Sequence, residues 1–343
     1  MNISINNYKH SIGSHCSSSL MKNILNFNGL KISEELCFGI GAGLGFIYRK
    51  AFNPPYYFVL GRSDDLEKKI CYFLGGEAIP YKTDDDAKAW EIVKESVLDG
   101  QPALVNVDAS YLPYLKEKFS IFDSVRYGGH RVLVIGFDEE AGTVELADYL
   151  WTDRQVVSME ELKLARCSST GQTPPNNLVY LFKFPKEYID IEQAIRSGIY
   201  LNVSAMLHPW YEVLGYSGLD KFCQRVTSWN RFMKEDMVKT NAFMTYMMME
   251  EVGTGGGNFR RLYSRFLREA ESILEDSRLG EASKIYADLG RKWKEVAYLL
   301  LDGSKDITSG MWNGSGANQK LLNEISENEL KALYILQEVQ YRK

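Results

Sequence analysis

Residues 127–137 read Tyr127-Gly128-Gly129-His130-Arg131-Val132-Leu133-Val134-Ile135-Gly136-Phe137. From Val132 to Phe137 the run is apolar and half β-branched, the strongest strand signal in the chain. The paired glycines before it predict a close-packed turn that delivers the His130 imidazole to the mouth of that strand. Beyond Phe137 comes the acidic connection Asp138-Glu139-Glu140-Ala141-Gly142, then a second β-rich stretch at 143–147. The two stretches predict a β-hairpin. Asp148 ends the second strand, 18 residues after His130, so antiparallel pairing would bring carboxylate and imidazole side by side.

Working outward, short β-branched segments at 103–107, 155–157 and 178–184 predict further strands of one antiparallel sheet, punctuated by the polar loop 168–177. Ser158-Met159-Glu160-Glu161 is a capping box opening a short helix within this region. Toward the N-terminus, helices are predicted at 17–28 (stopped by Gly29), 33–38, 64–74 and 87–99 (stopped by Gly100). After Pro185, apolar residues recur every three or four positions through 191–207, 219–251, 259–275, 280–301 and 319–339. The fold class predicted is therefore α+β, with a sheet-bearing domain over 1–186 and an α-helical domain over 187–343.

Composition narrows the function classes. The chain has 343 residues, 45% hydrophobic and 25% charged, which fits a two-domain globular protein and excludes collagenous or wholly disordered chains. A net charge of -5 argues against a dedicated nucleic-acid binder. The longest early apolar run, 36–48, is 13 residues with four glycines, short of the roughly 20 that span a bilayer. The N-terminus lacks a basic region leading into an apolar run, so no membrane association and a cytoplasmic location are expected. Cys16, Cys37, Cys71, Cys167 and Cys223 are scattered, with no CxxC pair. They predict reduced thiols, with no metal site and no bound cofactor.

Among the cysteines, Cys16 stands directly before Ser17-Ser18-Ser19-Leu20-Met21-Lys22-Asn23-Ile24-Leu25, whose polar opening and apolar spacing place the thiol at a helix N-terminus. Backbone N–H groups and the helix dipole favour a thiolate there. The alternative reading is an inert, small apolar side chain beneath a loop. His130 changes the balance, since an imidazole within reach can serve as base and ion-pair partner, and Asp148 can orient it. Asp153 is the fallback orienter. The other four cysteines have no base nearby in sequence, and His208, before Pro209, is read as structural.

The order Cys16, His130, Asp148 resembles the papain-like arrangement, including its leader-peptide-cleaving branch. The local text is more specific. His15-Cys16-Ser17-Ser18-Ser19-Leu20, the phrase at 32–48 (ISEELCFGIGAGLGFIY) and Gly128-Gly129-His130 resemble the N-terminal domain of the butirosin biosynthesis protein H family. Gly253-Thr254-Gly255-Gly256-Gly257-Asn258-Phe259-Arg260-Arg261-Leu262-Tyr263 resembles the glycine turn of the helical domain that follows in that family. The resemblance implies a papain-like fold and a cysteine-dependent acyltransferase of antibiotic biosynthesis. In that reading the acyl donor is the phosphopantetheine arm of an acyl carrier protein, and the acceptor is a small-molecule amine, aminoglycoside or polyamine-like. Cys16 would be the nucleophile, His130 the general base and acid, and Asp148 the orienter. The glutamine that papain-like enzymes place before the nucleophile is absent. His10 and His15 are the polar residues available, and the Cys16 backbone N–H is the default oxyanion donor. Two other classes stay open: a cysteine amidase or peptidase on the same fold, and a binding module without activity.

Other signals are weaker. The run Gly39-Ile40-Gly41-Ala42-Gly43-Leu44-Gly45 never places glycines at i, i+2 and i+5, so it predicts close backbone approach instead of dinucleotide binding. Gly253 to Gly257 lacks the lysine of a phosphate loop and reads as helix punctuation. Met244, Met247, Met248 and Met249 read as core packing. Arg261, Arg265 and Arg268 share a helix face and could dock an acidic carrier protein, or could be a solvated face paired with Glu269 and Glu271. With His15 and Gly129 they complete the candidate substrate and carrier contacts.

Overall fold

The computed structural model describes residues 1–339 apart from 53, 124 and 172, so residues 340–343 of the predicted helical domain lie outside the described residues. In chain order the first elements are β1 (Asn2–Ser4), α1 (Cys16–Phe27), α2 (Glu34–Ile40), β2 (Leu44–Lys50), β3 (Tyr57–Arg62), α3 (Leu66–Phe73), β4 (Glu77–Tyr81), α4 (Asp86–Leu98) and β5 (Ala103–Val107). There follow α5 (Pro113–Lys118), β6 (His130–Asp138), β7 (Thr143–Ala147), β8 (Gln155–Ser158), α6 (Met159–Cys167) and β9 (Val179–Lys183). The remainder is helical: α7 (Ile191–Leu207), α8 (Gly215–Arg225), α9 (Trp229–Phe232), α10 (Glu235–Tyr246), α11 (Arg260–Leu274), α12 (Ser277–Lys305) and α13 (Gly316–Val339). The protein is thus α+β, and no helix among the described residues is long and apolar enough to cross a membrane.

Two compact units form, and they are not contiguous in sequence. The first comprises Met1–Glu34 and Gly75–Tyr188; the second comprises Glu35–Leu74 and Ile189–Lys343. The expected cut after residue 186 lies near the third crossing of the chain between units, after Tyr188, whereas residues 35–74 group with the helical unit. The reason is chemical. Arg260, at the start of α11, donates through Nη1 to the carbonyls of Gly45 and Gly61 in β2 and β3, at 3.1 and 3.0 Å. Its Nε and Nη2 hold both oxygens of Glu329 on α13, at 3.2 and 2.9 Å. Arginine and glutamate are each fully buried, and such a pair is tolerable only when its hydrogen-bonding groups are met, as they are here by the hairpin backbone.

In the first unit a seven-stranded antiparallel sheet runs β4-β9-β5-β6-β7-β8, with β1 pairing to the far end of β6. β6 is buried along nearly its whole length, as its apolar run requires. The 138–142 connection is a hairpin turn in which Asp138 Oδ1 accepts from the Glu140 and Ala141 amides and Gly142 takes φ +68°. The Ser158 and Glu161 capping box forms as the sequence predicts. Strands β1 and β4 were not expected; both are short, and periodicity over so few residues is a weak signal.

In the second unit β2 and β3 pair as an antiparallel hairpin, where the sequence predicted only a glycine loop followed by unassigned chain. The close-approach reading of Gly39 to Gly45 holds. A Cβ at Gly45 would stand 2.6 Å from the Arg62 carbonyl carbon, and one at Gly198 of α7 would stand 2.5 Å from the Gly39 oxygen. The second glycine run also acts as punctuation, since residues 255–259 all take positive φ before α11 begins. Met248 and Met249 are buried in a π-helical turn at the end of α10, consistent with packing.

Candidate active site

All three predicted chemical residues belong to the first unit. Cys16 is the first residue of α1, and His15 is its N-cap, with extended backbone and a ring Nδ1 that accepts from the Ser18 amide at 3.4 Å. The Cys16 thiol therefore sits where the helix presents its positive end. The turn carrying it is fixed by Glu34, a buried carboxylate accepting from the Ser14 amide at 2.8 Å, the His15 amide at 2.8 Å and the Ser18 hydroxyl at 3.1 Å. Glu34 was read in sequence only as part of a helix; nothing local signals that its carboxylate reaches back 19 residues.

His130 is the first residue of β6, placed by the glycine turn as expected. A Cβ at Gly128 would stand 2.3 Å from the Thr173 carbonyl oxygen, so glycine is needed for the loop at 173–175 to close on the turn. Gly129 also lies against Thr173 and Tyr127. Asp148 follows β7, whose register with β6 pairs Leu133 with Ala147 and so brings the carboxylate diagonally across to His130. His130 Nε2 and Asp148 Oδ2 are 2.7 Å apart, with the carboxylate fully buried. Asp153, the fallback candidate, is exposed, and Asp148 is the carboxylate that meets the imidazole.

The imidazole also makes a side-chain hydrogen bond with Cys16. Burial alone would lower the His130 pKa, but the Asp148 charge and hydrogen bond, with a contribution from Cys16, raise it to about 10. The ring is therefore an imidazolium at neutral pH, the partner that stabilises a thiolate. Three of the other cysteines differ. Burial pushes Cys71 up to about 12 and raises Cys223 and Cys167, which keeps them as thiols.

Sequence reading missed the groups that hold Asp148. Tyr114 on α5 donates its hydroxyl to Asp148 Oδ2 at 3.0 Å, and its ring stands edge-on to Trp151 at 4.9 Å. His10 Nε2 meets the Asp148 carbonyl oxygen at 2.9 Å, which requires the proton on Nε2. Burial lowers the His10 pKa, so it is neutral there, with Nδ1 facing Tyr8 and Asn23. His10 is thus a support for Asp148. Tyr149 closes this cluster, its ring centroid 5.8 Å from that of His130.

In the second unit, Arg265 pairs with Glu35 at 2.8 Å, while Arg261 packs against Gly290 and Arg268 is exposed. His208 is the C-cap of α7, as a structural histidine would be.

Fold and site together define a class: an α+β protein in which a helix-N-terminal cysteine, a strand-initial histidine and a buried aspartate converge on an antiparallel sheet. Two family models match the chain, "Butirosin biosynthesis protein H, N-terminal" over residues 15–149 and "Domain of unknown function (DUF4872)" over residues 160–336. The chain belongs to the butirosin biosynthesis protein H family, which associates it with antibiotic biosynthesis. The N-terminal match begins one residue before Cys16 and ends one residue after Asp148. No curated protein matches the chain.

Proposed function

We propose that this protein is a cysteine-dependent acyltransferase with a papain-like catalytic unit, moving an acyl group from a carrier-protein thioester to an amine. The observation that carries the reading is the convergence of Cys16, His130 and Asp148, with His130 held protonated against its burial. The Cys16 thiolate attacks the thioester carbonyl of a phosphopantetheine arm. The tetrahedral intermediate collapses by breaking the bond to the carrier's sulfur, which takes the proton from His130. The acyl-Cys16 thioester is then attacked by the acceptor amine; His130 takes the amine proton as the new amide bond forms, and Cys16 leaves as thiolate. Asp148 keeps the ring oriented and compensates its charge in both steps. The Cys16 backbone N–H, in the first turn of α1, is the candidate oxyanion donor.

Acyl carrier protein and a small polyamine or aminoglycoside are the partners this chemistry needs, and Arg261, Arg265 and Arg268 are the candidate carrier contacts. Intact-protein mass spectrometry after mixing with an acyl thioester tests the reading. An acyl adduct on wild type, absent in Cys16→Ala and discharged to amide by an added amine, supports it. Release of free acid whatever amine is present would make the protein a hydrolase, and no adduct at all would make it a binding module.

A further inference from the structure

Of the three arginines buried among the described residues, Arg260 and Arg166 are held in contrasting ways. The Arg260 guanidinium donates to both oxygens of Glu329 and to three backbone carbonyls, and it lies 5.7 Å from the ring centres of Phe46 and Trp293. Arg166, on α6 of the first unit, is only 3% exposed, yet it makes a single side-chain hydrogen bond, from Nη2 to the Ala89 carbonyl at 3.0 Å. Its Nε is buried with no partner among the described residues. A guanidinium has five N–H donors, and a buried charge is tolerated when they are met.

The missing acceptors have room to arrive. Arg166 lines a cavity of about 290 Å³ between α4 and α6, walled by Trp90, Met159 and Leu162. The charge of Asp86 acts on Arg166, but its oxygens already face Asn177 Nδ2 at 2.9 Å and Lys163 Nζ at 3.9 Å. We propose that this cleft binds a small organic carboxylate, its head group on the Arg166 guanidinium and its apolar body against Trp90, Met159 and Leu162. A planar carboxylate matches the guanidinium edge. The acidic Asp86 and Glu160 on the same lining disfavour a dianion such as phosphate. The site shares no residue with the Cys16, His130 and Asp148 cluster.

Calorimetric titration with 3-phenylpropionate, hexanoate, the neutral isostere 3-phenylpropionamide and inorganic phosphate tests this. Saturable binding of a carboxylate is expected, at least tenfold tighter than the amide or phosphate. Arg166→Met should weaken it at least tenfold. Ala87→Leu, which obstructs the cleft from an exposed position and leaves Arg166 in place, should do the same if Arg166→Met fails to fold. Cys16→Ser should bind as wild type does, which separates this site from the proposed active site. Equal binding of carboxylate and amide, binding unaffected by Ala87→Leu, or no saturable binding of either carboxylate would overturn the proposal.

Discussion

His130 Nε2 and Asp148 Oδ2 stand 2.7 Å apart with the carboxylate wholly out of water, and the same oxygen accepts the Tyr114 hydroxyl at 3.0 Å. Two donors on one oxygen fix the carboxylate, and the carboxylate fixes the ring. Burial would otherwise drive the imidazole neutral, so the charge state of the whole cluster depends on this pairing.

Asp148→Asn removes the charge that opposes burial. The His130 pKa should fall from about 10 toward or below 6.5, and the thiolate should lose its cationic partner at neutral pH. Acylation of Cys16 should slow by roughly 10²- to 10⁴-fold. A pH profile of thiol alkylation should show the plateau of wild type, held by the ion pair, replaced by a rise only in the alkaline range.

Tyr114→Phe keeps the ring against Trp151 and deletes only the hydroxyl. A hydrogen bond to a charged group is worth about 1.5–3 kcal/mol. Stability measured by urea denaturation should drop by about that amount. The acylation rate should fall several-fold with little change in KM, since Tyr114 acts through Asp148. A change confined to KM would contradict this placement.

His130 links stability to pH with a definite sign. Its folded pKa lies above the unfolded value near 6.5, so the stabilisation is complete below pH 6.5 and is lost as pH rises through about 10. In a Cys16→Ser background, where no thiol titrates in the same range, the protein with His130 should lose ground to its His130→Gln counterpart between pH 6.5 and 10, by at most about 1.4 kcal/mol per pH unit. Denaturation curves at pH 6, 8 and 10 would check the slope.

Glu34→Gln replaces an oxygen that faces backbone donors with an NH₂ group. The Ser14 and His15 amides and the Ser18 hydroxyl cannot all be met, and the loss should be about 1–3 kcal/mol. Hydrogen exchange at the Ser14 and His15 amides should accelerate, locating the effect at the turn before Cys16.

Arg260→Met leaves Glu329 buried and uncompensated, at a cost of about 3–5 kcal/mol. The double variant with Glu329→Leu should recover much of that, because two apolar side chains need no counter-charge. Thermal melts of the two variants give the comparison.

Much of the site was legible because its signals are local. A polar opening followed by helical periodicity and a terminal glycine located α1, which begins at Cys16 and ends just before Asn28 and Gly29. Two glycines before an apolar run located the start of β6 at His130, and turn residues located the hairpin that returns Asp148 to it. Tyr114 and Glu34 were not legible, because a tyrosine on a short helix and a glutamate opening another carry no mark of the distant acceptor or donor they meet.

By itself the sequence determined which residue types stand at helix and strand starts, the α+β class, and the order Cys16, His130, Asp148. These follow from side-chain period and backbone preference, which act over a few residues. Tertiary structure decided that residues 35–74 join the helical unit, that Asp148 and not Asp153 meets the imidazole, and that His130 stays charged while buried. Such outcomes depend on which buried polar groups find partners across long stretches of chain. That accounting is closed only when the whole fold excludes water.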